Sequence, residues 1–114
     1  MNLTVQKCYF RAIAAGEKTA EGRIAKEKYL QLRPGDTITF HNATNEAEML
    51  TVRVLQVRRY DSFRAMLEAE GVAAMLPGMT SLDEAIRVYE SFGDYKTAVQ
   101  QYGAVAIRFG RVGA

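Results

Sequence analysis

Apolar residues in this chain switch between two spacings, and glycine or proline stands at most of the switches. Apolar positions three and four apart predict a helix, whereas alternation with polar positions predicts a strand. Helical spacing covers residues 9–15, 26–30, 63–70, 72–75, 82–92 and 95–102. Alternating or extended segments cover residues 3–5, 19–24, 36–40, 48–59 and 104–108.

The residues between these segments indicate where the predicted helices and strands begin and end. Ser81 and Glu84 have the spacing of a capping box, which predicts a helix start at that point. Gly16 and Gly71 follow helical segments and supply C-terminal stops. Pro34 and Gly35, followed by Asp36, predict a turn before the next strand.

The two central alternating segments flank a polar connection at residues 42–46 and predict an antiparallel hairpin. One face of the second segment is apolar. The other face mixes Arg53, Leu55, Val57 and Arg59, so we expect partial exposure or a β-bulge there. Strands near both ends of the chain with helices between them indicate an α+β fold. We expect a small curved β-barrel of about five or six strands with helices packed on one side.

Composition narrows the class of protein. The 114 residues have the length of one domain, so we treat residues 1–114 as a single domain. Cys8 is the only cysteine, which excludes an intrachain disulfide. The sequence shows no signal-peptide pattern and no apolar run near the ~20 residues that span a bilayer, so we expect a cytoplasmic protein without membrane contact. His41 and Cys8 stand alone, so we expect no metal site and no cofactor.

The formal net charge of +2 does not indicate a dedicated duplex-DNA binder, although it allows a local basic groove. The best candidate is residues 16–23, where two glycines bracket Lys18, Glu21 and Arg23. Strand alternation places Glu21 and Arg23 on one face with Thr19, and Lys18 can reach that face from the helix–strand junction. Lys18 is either a cation or base for a ligand, or a solvated lysine at a helix end.

Glu70 lies on the apolar stripe of its predicted helix. A carboxylate on a buried face needs a cationic partner or a proton, and Lys18 and Arg23 are the partners that we expect. A solvated position in a frayed last turn is the other interpretation. A Lys–Glu pair in a cleft is the minimum for acid–base chemistry, and equally for a structural ion pair.

Aromatic residues offer a possible stacking surface for a base. Those at helical spacing, including Tyr89, Phe92 and Tyr95, are assigned to the core. Tyr60 and Tyr102 lie at element ends, where an exposed ring and hydroxyl are expected.

Taken together, these motifs resemble the ASCH domain, a branch of the PUA-like superfamily. The ordered set runs nearly the full length and consists of residues 9–13, 16–23, 32–40, 60–63, 66–71, 76–78 and 102–107. The resemblance implies a small β-barrel flanked by helices, with a cleft that contains the Gly-x-Lys-x-x-Glu-x-Arg segment. It also implies RNA or a nucleotide as the ligand class.

Some ASCH proteins are amidohydrolases that deacetylate acetylated cytidine. They use a lysine after the glycine, a threonine three residues later and a glutamate in the later helix. By this resemblance Lys18 matches the lysine and Glu70 the glutamate. Glu21 stands where those relatives have the threonine, and Thr19 does not occupy that position.

We therefore expect an RNA- or nucleotide-binding protein whose ligand lies in a cleft around Lys18, Glu21 and Arg23, with the oligomeric state left open. The expected ligand contacts are Lys18, Thr19, Glu21, Gly22, Arg23, Tyr60, Ser62 and Tyr102. One alternative is an amidohydrolase for acetylated cytidine or another small amide, with Lys18, Glu21 and Glu70 as catalytic groups. A second alternative is a metal-assisted ribonuclease in which Glu21 and Glu70 hold the metal.

Overall fold

Five strands form one curved sheet in the computed structural model, which describes residues 1–112. The strands are β1 (Asn2–Val5), β2 (Ala20–Ile24), β3 (Thr37–Asn42), β4 (Asn45–Tyr60) and β5 (Ala104–Arg111). Their order across the sheet is β1-β3-β4-β5-β2. β1 runs parallel to β3, and all other neighbours are antiparallel. The expected α+β class is confirmed, and the sheet is a half-barrel.

Six helices within residues 1–112 pack on this sheet, and their positions follow the predicted segments. They are α1 (Lys7–Ala14), α2 (Glu27–Leu30), α3 (Phe63–Glu70), α4 (Val72–Met75), α5 (Leu82–Glu90) and α6 (Tyr95–Tyr102). The capping interpretation at Ser81 is confirmed, because its hydroxyl accepts a hydrogen bond from the Glu84 main-chain N–H at 3.2 Å.

The hairpin of β3 and β4 is tighter than predicted. The polar connection expected at residues 42–46 is reduced to the two residues between Asn42 and Asn45. The Asn42 side chain explains the difference, because its Oδ1 accepts from the N–H and hydroxyl of Thr44 at 3.0 and 2.9 Å. This local bond replaces the longer loop that a run of polar residues suggested.

The bulge expected in the second hairpin strand lies at Leu55. The pairing of β4 with β5 shifts register between Val54 and Gln56, and Leu55 between them is 57% exposed. Basic and apolar residues therefore alternate on one predicted face of β4 because the pairing of this strand with β5 changes register along its length.

The sheet separates two cores, and β5 contributes to both. Val105, Ile107 and Phe109 join the inner core, which lies within the curve of the sheet and is closed by α1 and α2. Ala104 and Ala106 point the other way and pack under α3, α5 and α6. Ala20 and Ile24 of β2 lie on this helix side, so the alternation turns Glu21 and Arg23 toward the opposite face.

We expect Gly103→Ala to destabilise the protein far more than Gly16→Ala, although both residues have positive φ. Gly103 has φ 82° and ψ −175°, and a Cβ there would lie 2.6 Å from the Tyr60 carbonyl oxygen. Backbone strain of about 1–3 kcal/mol then adds to overcrowding of about 1–3 kcal/mol. A Cβ on Gly16 would have no neighbour within 4 Å, so only the backbone strain remains. Urea unfolding of both variants measures the difference, and equal losses would contradict it.

Candidate functional site

A cavity lies where the two ends of the sheet approach each other. β1 and β2 are the edge strands, and Arg23 Nη2 of β2 donates to the Thr4 carbonyl oxygen of β1 at 3.1 Å. We call this line of approach the seam. The seam cavity has a volume of about 160 Å³, with three charged residues of the 16–23 segment, Lys18, Glu21 and Arg23, on its wall.

Lys18 is the most buried charged group at the seam, with only 2% of its surface exposed. Its Nζ donates to the carbonyl oxygens of Ala20 and Met75 at 2.8 and 2.5 Å and lies 3.3 Å from Glu21 Oε1. Three acceptors match the three N–H groups of an ammonium ion. Burial lowers the pKa of Lys18, and the adjacent Glu21 carboxylate opposes that shift. The lysine therefore joins β2 to α4 as a charged group, rather than being solvated at a helix end.

Glu21 lies between two cations. Its Oε1 faces Lys18, while its Oε2 accepts from Arg23 Nε at 2.8 Å and lies 2.7 Å from Arg23 Nη2. Burial alone would raise the pKa of Glu21, but Lys18 and Arg23 outweigh it, so the pKa is lowered and the carboxylate stays ionised. Glu21 and Arg23 share a face as the alternation predicted, and Lys18 reaches that face from the junction.

Aromatic rings also line the cavity, and sequence reasoning missed them. Tyr9, Tyr89, Phe92 and Tyr95 all line it, although the helical residues were assigned wholly to the core. Their rings do belong to a cluster: Tyr89 meets Phe92 edge-on at 5.8 Å, and Phe92 meets Tyr95 in the same way. The signal was the presence of tyrosines on an apolar stripe, because a buried hydroxyl requires a polar neighbour.

Glu70 belongs to a separate group. Its carboxylate accepts from Arg108 Nε at 2.6 Å and from the Tyr60 hydroxyl, and it is not among the residues that line the seam cavity. The expectation that Lys18 or Arg23 would pair with Glu70 is therefore wrong. The pairing of β2 with β5 supplies the reason, because it brings Arg108 opposite Ala20 and under the end of α3.

Of the remaining predicted contacts, one lies at the seam cavity and the others do not. Gly22 lines the cavity, whereas Thr19 lies just before β2 and uses its main chain to bond Ala74 and Phe109. The Ser62 hydroxyl caps α3 by accepting from the Ala65 N–H at 3.0 Å. Tyr102 is 40% exposed at the end of α6, away from the seam cavity. The structure thus brings together Lys18, Glu21, Gly22 and Arg23 but not Tyr60, Ser62 or Tyr102.

Two further observations concern residues 1–112 only. In that range no group of three or more His, Cys, Asp or Glu side chains is placed to hold a metal ion. Also in that range, no helix is long and apolar enough to cross a membrane.

Comparison with known proteins gives the family. The sequence matches the model of the ASCH domain over residues 3–112, as the resemblance predicted. The fold is similar to the crystal structure of hypothetical protein PH0355, with 39% identity, a TM-score of 0.85 and 97% of each chain covered. It is also similar to the solution structure of protein PF0455 from Pyrococcus furiosus, with 38% identity, a TM-score of 0.76 and coverage of 99% of this chain and 97% of that one.

A more distant likeness shows the fold alone. The crystal structure of an ASCH protein from Zymomonas mobilis has 12% identity and a TM-score of 0.64, and covers 96% of this chain and 65% of its own. No curated protein matches the sequence significantly.

We expect Lys18→Met to cost about 3–5 kcal/mol of folding stability, because it leaves buried acceptors and part of a buried carboxylate without their donor. Lys96→Met is the matched control, since Lys96 is exposed on α6 and its loss should change stability by less than about 0.5 kcal/mol. Chemical unfolding monitored by circular dichroism measures both variants. A Lys18→Met protein as stable as the control would contradict the buried ammonium network.

The lowered pKa of Glu21 predicts a loss of stability in acid. Because its folded pKa lies below the ordinary value of 4.5, the unfolded chain binds the proton first as pH falls. The stabilisation is complete above about pH 5 and is lost as pH falls through the folded pKa. Glu21→Gln should flatten this acid limb, whereas Glu68→Gln, at an exposed position, should leave it unchanged. Unfolding free energies between pH 3 and 7 test the comparison, and parallel acid limbs for all three proteins would contradict it.

Proposed function

Because the chain belongs to the ASCH domain family, we propose that it binds single-stranded RNA or a nucleotide and holds one unpaired base in the seam cavity. The observation that supports this proposal is the meeting of aromatic rings and a net positive charge at one cavity. Single-stranded nucleic acids are bound by stacking of bases on rings and by cations near the backbone.

The charges at the seam favour an anionic ligand. Lys18 and Arg23 carry two positive charges against the one negative charge of Glu21. Arg23 uses its Nε and Nη2 on Glu21 and Thr4, and its Nη1 has no hydrogen-bond partner among residues 1–112. That nitrogen can donate to a phosphate or a base carbonyl while the guanidinium stays fixed.

The size of the cavity favours one ring of a base. Its volume of about 160 Å³ is below the roughly 300–1,000 Å³ of pockets that enclose drug-sized ligands. A cavity of about 150 Å³ holds a benzene molecule. A nucleotide would therefore place its base in the cavity and leave its sugar and phosphate at the mouth, near Arg23.

In this proposal Lys18 acts on Glu21 and makes no direct contact with the ligand. All three of its donors are directed at protein acceptors, so it fixes the carboxylate that orients Arg23. The amidohydrolase alternative requires Lys18 and Glu70 to act on one bond, and these residues belong to different hydrogen-bonded groups.

Titration with short single-stranded RNAs at two salt concentrations tests the proposal. We expect weak binding. The logarithm of the association constant should fall with the logarithm of the salt concentration by about 0.7 per phosphate neutralised. The slope should be small, because Arg23 is the main cation at the mouth of the cavity. The absence of binding by any RNA or nucleotide at low salt would overturn the proposal. Turnover of acetylated cytidine by the wild-type protein, lost in a Lys18→Ala variant that circular dichroism shows to be folded, would favour the amidohydrolase instead.

Two tyrosine variants test where the base stacks. Tyr95→Ala should weaken RNA binding by about five- to a hundredfold, since base stacking on a ring contributes about 1–3 kcal/mol. Tyr102→Ala is the matched control, because Tyr102 is exposed on the same helix but outside the cavity, and it should leave the affinity unchanged. The reverse order of effects would move the binding surface to the end of α6.

A further inference from the structure

The main chain of Gly22 faces the seam cavity rather than the neighbouring strand. Thr19 and Ala25, on either side, bond to β5: the Thr19 carbonyl accepts from Phe109 N–H at 3.1 Å, and Ala25 N–H donates to Gly103 at 3.0 Å. The main-chain groups of the even-numbered residues of β2 point away from β5. The Ala20 carbonyl is an example, because it accepts a hydrogen bond from Lys18 Nζ. Because β2 is the last strand of the sheet, alternation directs both the N–H and the C=O of Gly22 to its free edge.

The edge of β1 faces this same cavity from the other side. Val5 bonds to the β3 side of the sheet, where its carbonyl accepts from Ala43 N–H at 2.9 Å. The carbonyl of the preceding residue, Thr4, points to the other side of β1, where it accepts a hydrogen bond from Arg23 across the seam. Two strand edges therefore approach each other with a cavity between them instead of a hydrogen-bonded ladder. Unpaired edge groups in strands are normally covered or paired.

The Tyr89 hydroxyl is a further polar group at this cavity that has no hydrogen-bond partner within the described part of the chain. Tyr89 is 2% exposed, and its hydroxyl makes no hydrogen bond to residues 1–112. Every fully enclosed polar side-chain atom among these residues does have a partner, so this hydroxyl opens on the cavity that Tyr89 lines. It lies beside Gly22, since a Cβ there would be 2.7 Å from it. Buried tyrosine hydroxyls usually find a partner, so this one is available to a ligand.

We propose that the Gly22 main chain and the Tyr89 hydroxyl read the hydrogen-bonding edge of a pyrimidine base in the seam cavity. This inference rests on the proposed function and adds the recognition of the base to it. When the main chain of a residue points outward from a free strand edge, it presents one N–H donor beside one C=O acceptor. The N3 edge of uracil presents the matching pair, an N–H beside a carbonyl, and cytosine offers an acceptor beside an amino group. A purine would have to leave its second ring outside a cavity of about 160 Å³.

Gly22 is required here for a reason of space. Any side chain at this position would collide with the Tyr89 ring, whose Cε1 and Cζ would lie 2.9 Å from the new Cβ. The absence of a Cβ lets the tyrosine lie against β2 and brings its hydroxyl next to the strand edge. Burial raises the pKa of Tyr89 well above 10, so the hydroxyl keeps its proton and can donate.

Calorimetric titration with uridine monophosphate and two methylated analogues tests the reading of the base edge. Methylation at N3 removes the donor and blocks the edge, so we expect a loss of binding of at least tenfold. Methylation at C5 leaves that edge intact and should change the affinity by less than threefold. Adenosine monophosphate should bind more weakly than uridine monophosphate. Equal binding of the N3-methylated and unmodified nucleotides would overturn the inference.

Tyr89→Phe keeps the ring and removes only the hydroxyl. Loss of one hydrogen bond should weaken uridine monophosphate binding about threefold to tenfold. Tyr102→Phe, outside the cavity, should have no effect. In amide proton–nitrogen spectra, the Gly22 signal should shift downfield on addition of the nucleotide, while the Gly35 signal in a distant turn stays in place.

These readouts separate the two proposals. If no nucleotide or RNA binds, the proposed function fails and this inference fails with it. If uridine monophosphate binds with no shift of Gly22 and no effect of Tyr89→Phe, the binding function stands and the edge recognition is wrong.

Discussion

The buried ammonium group of Lys18 is the interaction on which the arrangement of the site depends. It contacts the Ala20 carbonyl in β2, the Met75 carbonyl in α4 and the carboxylate of Glu21. A charge removed from water is tolerated only when its donors are satisfied, so these three acceptors must keep their positions together. Glu21 is thereby fixed and in turn orients the Arg23 guanidinium across the seam. One cation thus couples the helical layer to the edge of the sheet and, through Glu21, to the guanidinium of Arg23 at the seam.

Small residues make this coupling possible. Ala20, Ala104 and Ala106 are almost completely buried under the helices, and Gly22 lies against the Tyr89 ring. Helices can approach β2 and β5 closely because these positions carry little side-chain volume. The alternate positions of the same strands face the other side of the sheet. They are Glu21 and Arg23 on β2 and the larger apolar residues on β5. Two short strands therefore serve a core, a charged network and a cavity wall at once.

The sequence was sufficient for much of the fold because its local signals agree with one another. Apolar periodicity located the helices and strands, the capping serine located the start of α5, and alternation paired Glu21 with Arg23. Tertiary pairing decided the rest. Nothing local to Glu70 indicates Arg108, since their contact requires β5 to lie beside β2 with a particular register. The seam cavity likewise requires β1 and β2 to be the two ends of the sheet, and a single sequence does not specify that order.

The position of β2 has a consequence for the order in which the molecule is assembled. Among residues 1–112 its only ladder partner is β5, which lies at residues 104–111, whereas β3 and β4 form a hairpin from adjacent segments. Pairings between distant segments form late, because closing a long loop costs entropy before any contact compensates for it. The hairpin can therefore form while β2 is still unpaired. We expect the cavity edge to become defined when β5 is added, so that the part of the chain that carries the charged signature is among the last to reach its final place.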